Sequence, residues 1–168
     1  MSNIPIQIVD EHDQPVGQAS KEEVWGKGLL HRIVRIMITN PAGELLLQHR
    51  DASKKIFPSC WDNSAAGHVD AGEDYDTAAY RELKEELGLH DVPLTVRGDY
   101  RSDETIDGKR FNRFTRCYTA TIQATPHSLG AGEVTDVRWV TIAEAKKLVQ
   151  EHLDQVTDGL RQVMERYY

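Results

Sequence analysis

The chain has 168 residues, of which 39% are hydrophobic, so residues 1–168 are long enough for one domain with a buried core. Its formal net charge of −7 argues against a nucleic-acid polymer as partner, because binding a polyanion usually requires a basic surface. The sequence contains no apolar run long enough to cross a membrane and no N-terminal signal pattern, and its two cysteines lack a C-x-x-C spacing. We therefore expect a cytoplasmic protein with free thiols and no membrane partner.

The first elements in chain order are two predicted hairpins. Residues 4–9 alternate enough to predict a strand, and the turn residues in 10–17 precede its return, which gives an N-terminal hairpin extension within residues 1–30. Apolar runs at 33–39 and 44–48 flank an Asn-Pro-Ala-Gly sequence, which is a strong turn signal. A second hairpin is therefore expected directly after the first.

The C-terminal half predicts three more strands and two helices. The strands are expected over 94–101, 114–122 and 134–140. Thr141 and Glu144 form a predicted capping box, and the next helix presents the apolar residues Ile142, Ala145, Leu148 and Val149. A last helix is expected over 154–166, with its apolar face formed by Val156, Leu160, Val163 and Met164.

The central segment predicts a helix with an acidic face. Asp74 is a candidate N-cap and Gly88 a candidate stop, so the helix has about 13 residues. Three apolar residues spaced four apart are expected to pack inward, and three glutamates at i, i+3 and i+4 lie on the other side: Ala79, Leu83 and Leu87, against Glu82, Glu85 and Glu86.

The close spacing of these glutamates favours a bound cation. Like charges at this spacing cost a few tenths of a kcal/mol per pair in a solvated helix, and a hard cation with oxygen ligands would offset that cost. The alternative is a solvated acidic face that Arg81 and Lys84 balance. Helix spacing alone leaves both interpretations open.

A longer motif surrounds this helix. Residues 67–89 fit the pattern G-x5-E-x7-R-E-U-x-E-E-x-G-U, where U is a bulky apolar residue, and every specified position is filled: Gly67, Glu73, Arg81, Glu82, Leu83, Glu85, Glu86, Gly88 and Leu89. The segment resembles the signature of the Nudix hydrolases, which typically cleave a nucleoside diphosphate linked to some other group. The resemblance implies the Nudix fold, an α/β (α+β) architecture in which a mixed β-sheet is sandwiched between helices, as the predicted element order also allows.

The same resemblance implies roles for the motif residues. Glu82, Glu85 and Glu86 look like the catalytic, metal-binding carboxylates, with Glu82 also able to polarise the attacking water, and a backbone carbonyl around Gly67 looks like a further ligand. Glu73 and Arg81 look like an ion pair that supports the site. The implied cofactor is Mg²⁺, with Mn²⁺ as an alternative, and the implied substrate is a small diphosphate, by family analogy a nucleoside di- or triphosphate.

Residues outside the motif add candidates. Glu133 follows a glycine-rich stretch just before a predicted strand, where many Nudix enzymes place an additional acid that binds metal or acts as base, although an exposed loop carboxylate is the alternative. Arg50, Lys54 and Lys55 could bind the pyrophosphate oxygens, or form a solvated basic loop. The oligomeric state stays open, although the N-terminal hairpin and the C-terminal helix offer surfaces for a homodimer.

Residues 29–73 are also similar to the isopentenyl diphosphate isomerases, which share the Nudix fold. His31, Arg50, Lys54 and His68 match positions that bind metal or diphosphate in those isomerases. However, Ala66 stands where the isomerases carry their catalytic cysteine, and residues 110–117 contain no carboxylate where the isomerases carry an acidic pair. We therefore expect a hydrolase, with the isomerase and a non-catalytic sensing domain as alternatives. A second metal at His31 and His68 is less expected than hydrogen-bonded structural histidines.

Overall fold

The computed structural model describes residues 3–168. Within this range it contains nine strands and four helices in the order β1 (Ile6–Val9), β2 (Pro15–Ala19), α1 (Lys21–Lys27), β3 (His31–Thr39), β4 (Leu45–Arg50), β5 (Trp61–Asp62), β6 (Ala65–His68), α2 (Tyr75–Leu87), β7 (Thr95–Ile106), β8 (Lys109–Thr121), β9 (Val134–Val140), α3 (Ile142–Glu151) and α4 (Asp158–Tyr167). A single turn of 3-10 helix, Leu153–Gln155, precedes α4. No helix in this part of the chain is both long enough and apolar enough to span a membrane.

Strand β3 is the centre of the mixed sheet. It runs antiparallel to β1 and β6 and parallel to β8, which in turn forms a long hairpin with β7. Strand β3 pairs with β4 at only two positions, after which β4 pairs with β5 and β9 instead. The sheet therefore has two halves, and residues 63–64 carry the chain from one half to the other.

Helices cover both faces of the sheet. One apolar cluster packs α2 against β3 and β8 and includes Val34, Ile36, Leu83, Leu87 and Tyr118. The other packs α3 and α4 against the opposite face and includes Met37, Leu47, Leu148, Leu160 and Val163. This arrangement confirms the α/β/α sandwich expected from the sequence.

The local signals around α2 and α3 are confirmed. Helix α2 has 13 residues, the side chain of Asp74 accepts from Thr77 N at 2.8 Å, and Gly88 ends the helix in the left-handed conformation with φ of 64°. Thr141 and Glu144 form both bonds of the predicted capping box of α3. Ile142 is the exception on the expected apolar face, since 38% of it is exposed.

Several boundaries differ from the sequence expectations. Ser20 and Glu23 form a capping box that starts α1, a helix that the expected hairpin extension did not include. Strands β7 and β8 extend to a tight turn at Asp107 and Gly108, both with positive φ, so residues 103–112 form a hairpin end and not a loop. The last helix begins at 158 and not at 154, because Thr157 is its N-cap.

Candidate metal and diphosphate site

Two of the three glutamates on α2 are buried. Glu82 is 9% exposed and Glu86 is 4% exposed, one helical turn apart, whereas about half of the Glu85 side chain is exposed. The solvated acidic face considered from the sequence is therefore wrong for Glu82 and Glu86. Carboxylates are rarely buried unless a cation or hydrogen-bond donors compensate them, so their partners decide what this helix can do.

Neutral donors hold the Glu86 carboxylate in place. Its Oε1 accepts the backbone N–H of Ala66 at 2.8 Å, and its Oε2 accepts from Gln48 Nε2 at 3.0 Å. Gln48 follows three leucines in β4, but the polar residues His49 and Arg50 come next, so the sequence does not mark Gln48 as part of the site. Glu86 is thus oriented between β4 and β6 by two hydrogen bonds.

Glycine at position 67 allows α2 to approach β6 closely. A Cβ at this position would overlap the carboxylate of Glu82. The absence of a side chain therefore brings the Glu82 oxygens against the β6 backbone, next to the carbonyl that the sequence resemblance marks as a further ligand. Gly67, Glu82 and Glu86 are consequently close together in the structure.

Arg81 is a cation in direct contact with the glutamates Glu73 and Glu82. Its guanidinium donates twice to Glu73, from Nε to Oε1 at 2.7 Å and from Nη2 to Oε2 at 2.9 Å, so the expected Glu73–Arg81 ion pair is present. Nη2 also donates to the His68 carbonyl at 2.9 Å. The remaining nitrogen, Nη1, donates to Glu82 at 2.6 Å and lies 3.4 Å from Glu85.

Glu82 and Glu86 have too few positive charges nearby to compensate both carboxylates in their ionised form. Burial raises the pKa of Glu82 to about 7, although Arg81 acts in the opposite direction. Burial, followed by the charge of Glu82, raises the pKa of Glu86 well above its usual range. Both shifts mean that the ionised form of each carboxylate needs more positive charge than the neighbouring residues provide.

The carboxylate oxygens on α2 are suitable ligands for a hard divalent cation. The oxygen-only set of Glu82, Glu85 and Glu86 matches the preference of Mg²⁺, and the raised pKa values show that added positive charge would be stabilising. Across residues 3–168, no three Asp, Glu, His or Cys side chains are already arranged around one point as ligands. Arg81 Nη1 lies between Glu82 and Glu85, so metal binding requires these two carboxylates to turn from the guanidinium towards the ion.

A second acid and a lysine face this helix from two loops. Lys54 and Glu133 form an ion pair in which both side chains are about one-fifth exposed, and Asp51 N donates to the Glu133 carbonyl at 3.0 Å. Gly130 N donates to the Glu86 carbonyl at 2.9 Å, which joins the glycine-rich loop to α2. The charge of Glu133 also contributes to the raised pKa of Glu82. Glu133, paired with Lys54, thus lies close enough to α2 for its charge to act on Glu82.

The other two predicted cations lie elsewhere. Arg50 donates to the carbonyls of Ile56 and Phe57, at 2.8 and 3.1 Å, and lies 3.4 Å from Asp62. Lys55 is largely exposed and lies 3.6 Å from Glu22 on α1. Of the three basic residues expected to bind diphosphate, only Lys54 pairs with a candidate site residue, Glu133, whereas Arg50 stabilises the loop that carries Lys54.

The two histidines lie side by side, with His31 buried and His68 partly buried. Their ring centroids are 5.5 Å apart, and His31 Nδ1 donates to the Leu29 carbonyl at 2.8 Å. Burial lowers the pKa of His31 to about 4 and that of His68 well below its usual range. After burial and the charge of His31, the positive charges of Lys21, Arg113 and Lys54 also lower the pKa of His68, and they would repel a second metal ion there.

The residue at the position of the isomerase thiol, Ala66, pairs with a strand that carries a buried arginine. Ala66 lies opposite Arg35 in the pairing of β3 with β6. Arg35 is buried and donates to the Tyr100 hydroxyl and, at 2.9 Å, to the side-chain carbonyl of Gln162. Sequence reasoning did not identify this network, because its members are far apart along the chain.

Comparison with known proteins places the chain in a family. A family model described as the NUDIX domain matches residues 29–164, and the chain belongs to this family, whose hydrolases cleave pyrophosphate bonds and generally use divalent metals. One relative is an uncharacterised Nudix hydrolase of Pseudomonas aeruginosa. It is 37% identical over 144 residues, which cover 83% of this chain and 82% of that protein.

Other relatives extend the similarity over nearly the whole chain. An isopentenyl-diphosphate delta-isomerase of Nocardia farcinica is 34% identical over 165 residues, which cover 96% of this chain and 93% of that protein. A crystal structure from Deinococcus radiodurans has a TM-score of 0.80 at 23% identity, covers 98% of this chain and 99% of its own, and shows the shared fold. The chain resembles both hydrolases and isomerases, so individual residues decide between the two chemistries.

Proposed function

We propose that this Nudix pyrophosphohydrolase uses Mg²⁺, or Mn²⁺ in its place, to cleave the pyrophosphate linkage of a small diphosphate, namely a nucleoside di- or triphosphate or a related derivative. The observation that carries the proposal is the buried pair of Glu82 and Glu86, whose raised pKa values indicate a deficit of positive charge. A bound divalent cation would supply that charge, neutralise phosphate oxygens and acidify a water molecule.

Each protein group then has a defined task. Glu82, Glu85 and Glu86 would hold the ion, and the hydrogen bonds from Ala66 N and Gln48 fix the direction of Glu86. Arg81 keeps its two bonds to Glu73 while its Nη1 releases Glu82 and Glu85, so the Glu73–Arg81 pair positions the ligands.

Lys54 and Glu133 complete the proposed chemistry. The Lys54 ammonium transfers from Glu133 to the outer phosphate oxygens of the substrate, which carry more negative charge than one carboxylate. Glu133, released from the lysine and near enough for its charge to act on Glu82, would accept the proton of the attacking water. Substrate binding and activation of the base are therefore linked through one ion pair.

The isomerase alternative has no support at its reacting position. Ala66 carries a methyl group where the isomerases carry a thiol, so it cannot transfer protons. The sensing alternative is typical of chains whose carboxylates have been lost, whereas all motif carboxylates are present here.

The direct test is release of phosphate or pyrophosphate from a panel of substrates. The panel contains nucleoside di- and triphosphates, dinucleotide cofactors, nucleotide sugars and prenyl diphosphates, each with Mg²⁺ or Mn²⁺. Turnover of one class that is lost in Glu86→Gln, and retained in the exposed α4 control Glu165→Gln, supports the proposal. Conversion of isopentenyl diphosphate without phosphate release would contradict it, as would nucleotide binding without turnover.

A further inference from the structure

A cavity of about 240 Å³ lies beside the loop that carries Lys54. Its walls come from three elements: the loop between β4 and β5, the end of the β7–β8 hairpin, and the N-terminal turn of α4 with the residues before it. Phe57, Ile106 and Val156 contribute apolar surface, and Glu104, Asp158 and Arg161 contribute charged groups. Its residues have no part in the proposed cleavage chemistry.

Phe57 lines this cavity in an unfavourable backbone conformation. Its φ is 51°, in the left-handed region that a bulky residue seldom adopts, at a cost on the order of 1–3 kcal/mol. The guanidinium of Arg50 offsets that cost, because it binds the carbonyls of both Ile56 and Phe57. The Arg50 side chain therefore holds the Phe57 ring where it contributes to the cavity wall.

The loop between β4 and β5 carries both a residue of this cavity, Phe57, and the lysine that pairs with Glu133. Lys54, which contacts Glu133, precedes Phe57 by three residues, so their Cα atoms are at most about 11 Å apart even in an extended chain. A nucleotide extends over a comparable length between its phosphates and its base. One substrate molecule can thus place its phosphates at Lys54 and its base beside Phe57.

We propose that this cavity binds the nucleobase of the substrate and that Phe57 stacks on the base. The proposal rests on the proposed hydrolase function and adds where the base of a nucleotide substrate binds. Both carboxylates of the cavity already have partners, since Asp158 accepts from Arg113 at 2.6 Å and Glu104 from Arg161 at 3.2 Å. A base offers an aromatic face to Phe57 and a polar edge to these ion pairs.

A prenyl chain is a poorer occupant. Covering the charged groups of Glu104, Asp158 and Arg161 with hydrocarbon would remove water from them without providing new hydrogen bonds. The cavity is also too small for a folded protein segment of any length, which leaves a single ring system as the best match in size.

Phe57→Ala tests the proposal with two substrates. The variant keeps the backbone carbonyls that Arg50 binds, so the loop is retained while the ring is lost. For a nucleoside diphosphate, KM is expected to rise roughly tenfold with little change in kcat, as is typical of a lost base–aromatic stack. For methyl diphosphate, which has no base, KM should not change. Phe57→Tyr should restore the wild-type KM, and Tyr80→Ala, outside the cavity, should leave both substrates unaffected.

Other outcomes overturn the proposal. An equal rise in KM for both substrates would show that Phe57 only maintains the loop. An unchanged KM for the nucleotide would show that Phe57 does not contact the base. Turnover of prenyl diphosphates alone, sensitive to Phe57→Ala, would assign the cavity to hydrocarbon. If the wild type hydrolyses nothing, the proposed function fails, and calorimetry with a nucleoside diphosphate then tests base binding by itself. Weaker binding to Phe57→Ala than to the wild type supports the proposal. No binding to the wild type overturns it.

Discussion

Gly67 and the carboxylate of Glu82 lie so close together that a single added methyl group would occupy the same space. This contact joins β6 to α2, between the first residue of the motif and the first glutamate that we propose as a metal ligand. The proposed cation site therefore depends on a backbone position as much as on its carboxylates.

Gly67→Ala should disrupt both stability and activity. The new Cβ must push the Glu82 carboxylate away, and overpacking of this kind typically costs about 1–3 kcal/mol. We expect a lower midpoint in urea denaturation and a large loss of kcat. Gly26→Ala in α1 is the matched control, since a Cβ there meets nothing within 4 Å, and it should be neutral or stabilising. Equal behaviour of the two variants would contradict the proposed role of the close contact.

The stability of the metal-free protein should fall between mildly acidic and mildly basic pH. The pKa of Glu82 is raised in the folded state to about 7, so its contribution to stability is full below the unfolded pKa and is lost as pH rises through 7. The loss is on the order of 3 kcal/mol, and Mg²⁺ should reverse it by binding the ionised carboxylates.

Thermal unfolding in EDTA at pH 5 and pH 8 measures this effect in wild type and Glu82→Gln. The comparison of the two proteins is needed because the lowered pKa of His31 acts in the opposite direction, with stability lost as pH falls. We expect Glu82→Gln to be the more stable protein at pH 8 without metal and to gain less from Mg²⁺. A wild type that is more stable than Glu82→Gln at pH 8 in EDTA would disprove the charge deficit.

Glu73→Gln should reduce turnover by roughly 10- to 100-fold without removing a ligand. Glu73 accepts two hydrogen bonds from Arg81, and its loss would let the guanidinium turn fully to Glu82 and Glu85. The dependence of the rate on Mg²⁺ concentration should therefore shift to higher concentrations, because Arg81 then competes with the ion. An unchanged metal dependence would show that Glu73 does not act through Arg81.

Lys54→Met and Lys55→Met should differ although the residues are neighbours. Lys54 contacts Glu133, whereas Lys55 lies against Glu22 in solvent, so only Lys54→Met should raise KM for a diphosphate substrate, by roughly tenfold or more. Steady-state kinetics on the two variants measure this difference. Equal increases in KM would restore the expectation from the sequence that both lysines bind the substrate.

The sequence predicts α2 and its carboxylates well, because their signals are local. The cap at Asp74, the stop at Gly88 and the spacing of the apolar residues all act within a few residues of the helix. The capping box of Ser20 and Glu23 is equally local, but α1 has only seven residues and little apolar pattern, so it was not recognised. Strand β5 was not predicted either, because its two residues are too few to show a periodic pattern.

The surroundings of the site depend on contacts that a single sequence does not reveal. Lys54 and Glu133 are 79 residues apart, and Gln48 and Glu86 are 38 residues apart. The burial of Glu82 and Glu86 was also unpredictable, since charged residues at this spacing are usually solvated. Tertiary packing of α2 against β6, made possible by Gly67, turns an acidic helix face into a buried one.

The central claim is that the buried carboxylates of α2 bind the ion that supports hydrolysis. The most direct measurement is the rate of phosphate release from the preferred diphosphate as a function of Mg²⁺ concentration, for wild type and Glu86→Gln, alongside calorimetric binding of Mg²⁺ to each. We expect saturable Mg²⁺ dependence in the wild type, and both weaker Mg²⁺ binding and a loss of kcat in the variant. Turnover by Glu86→Gln with wild-type metal dependence would contradict the claim.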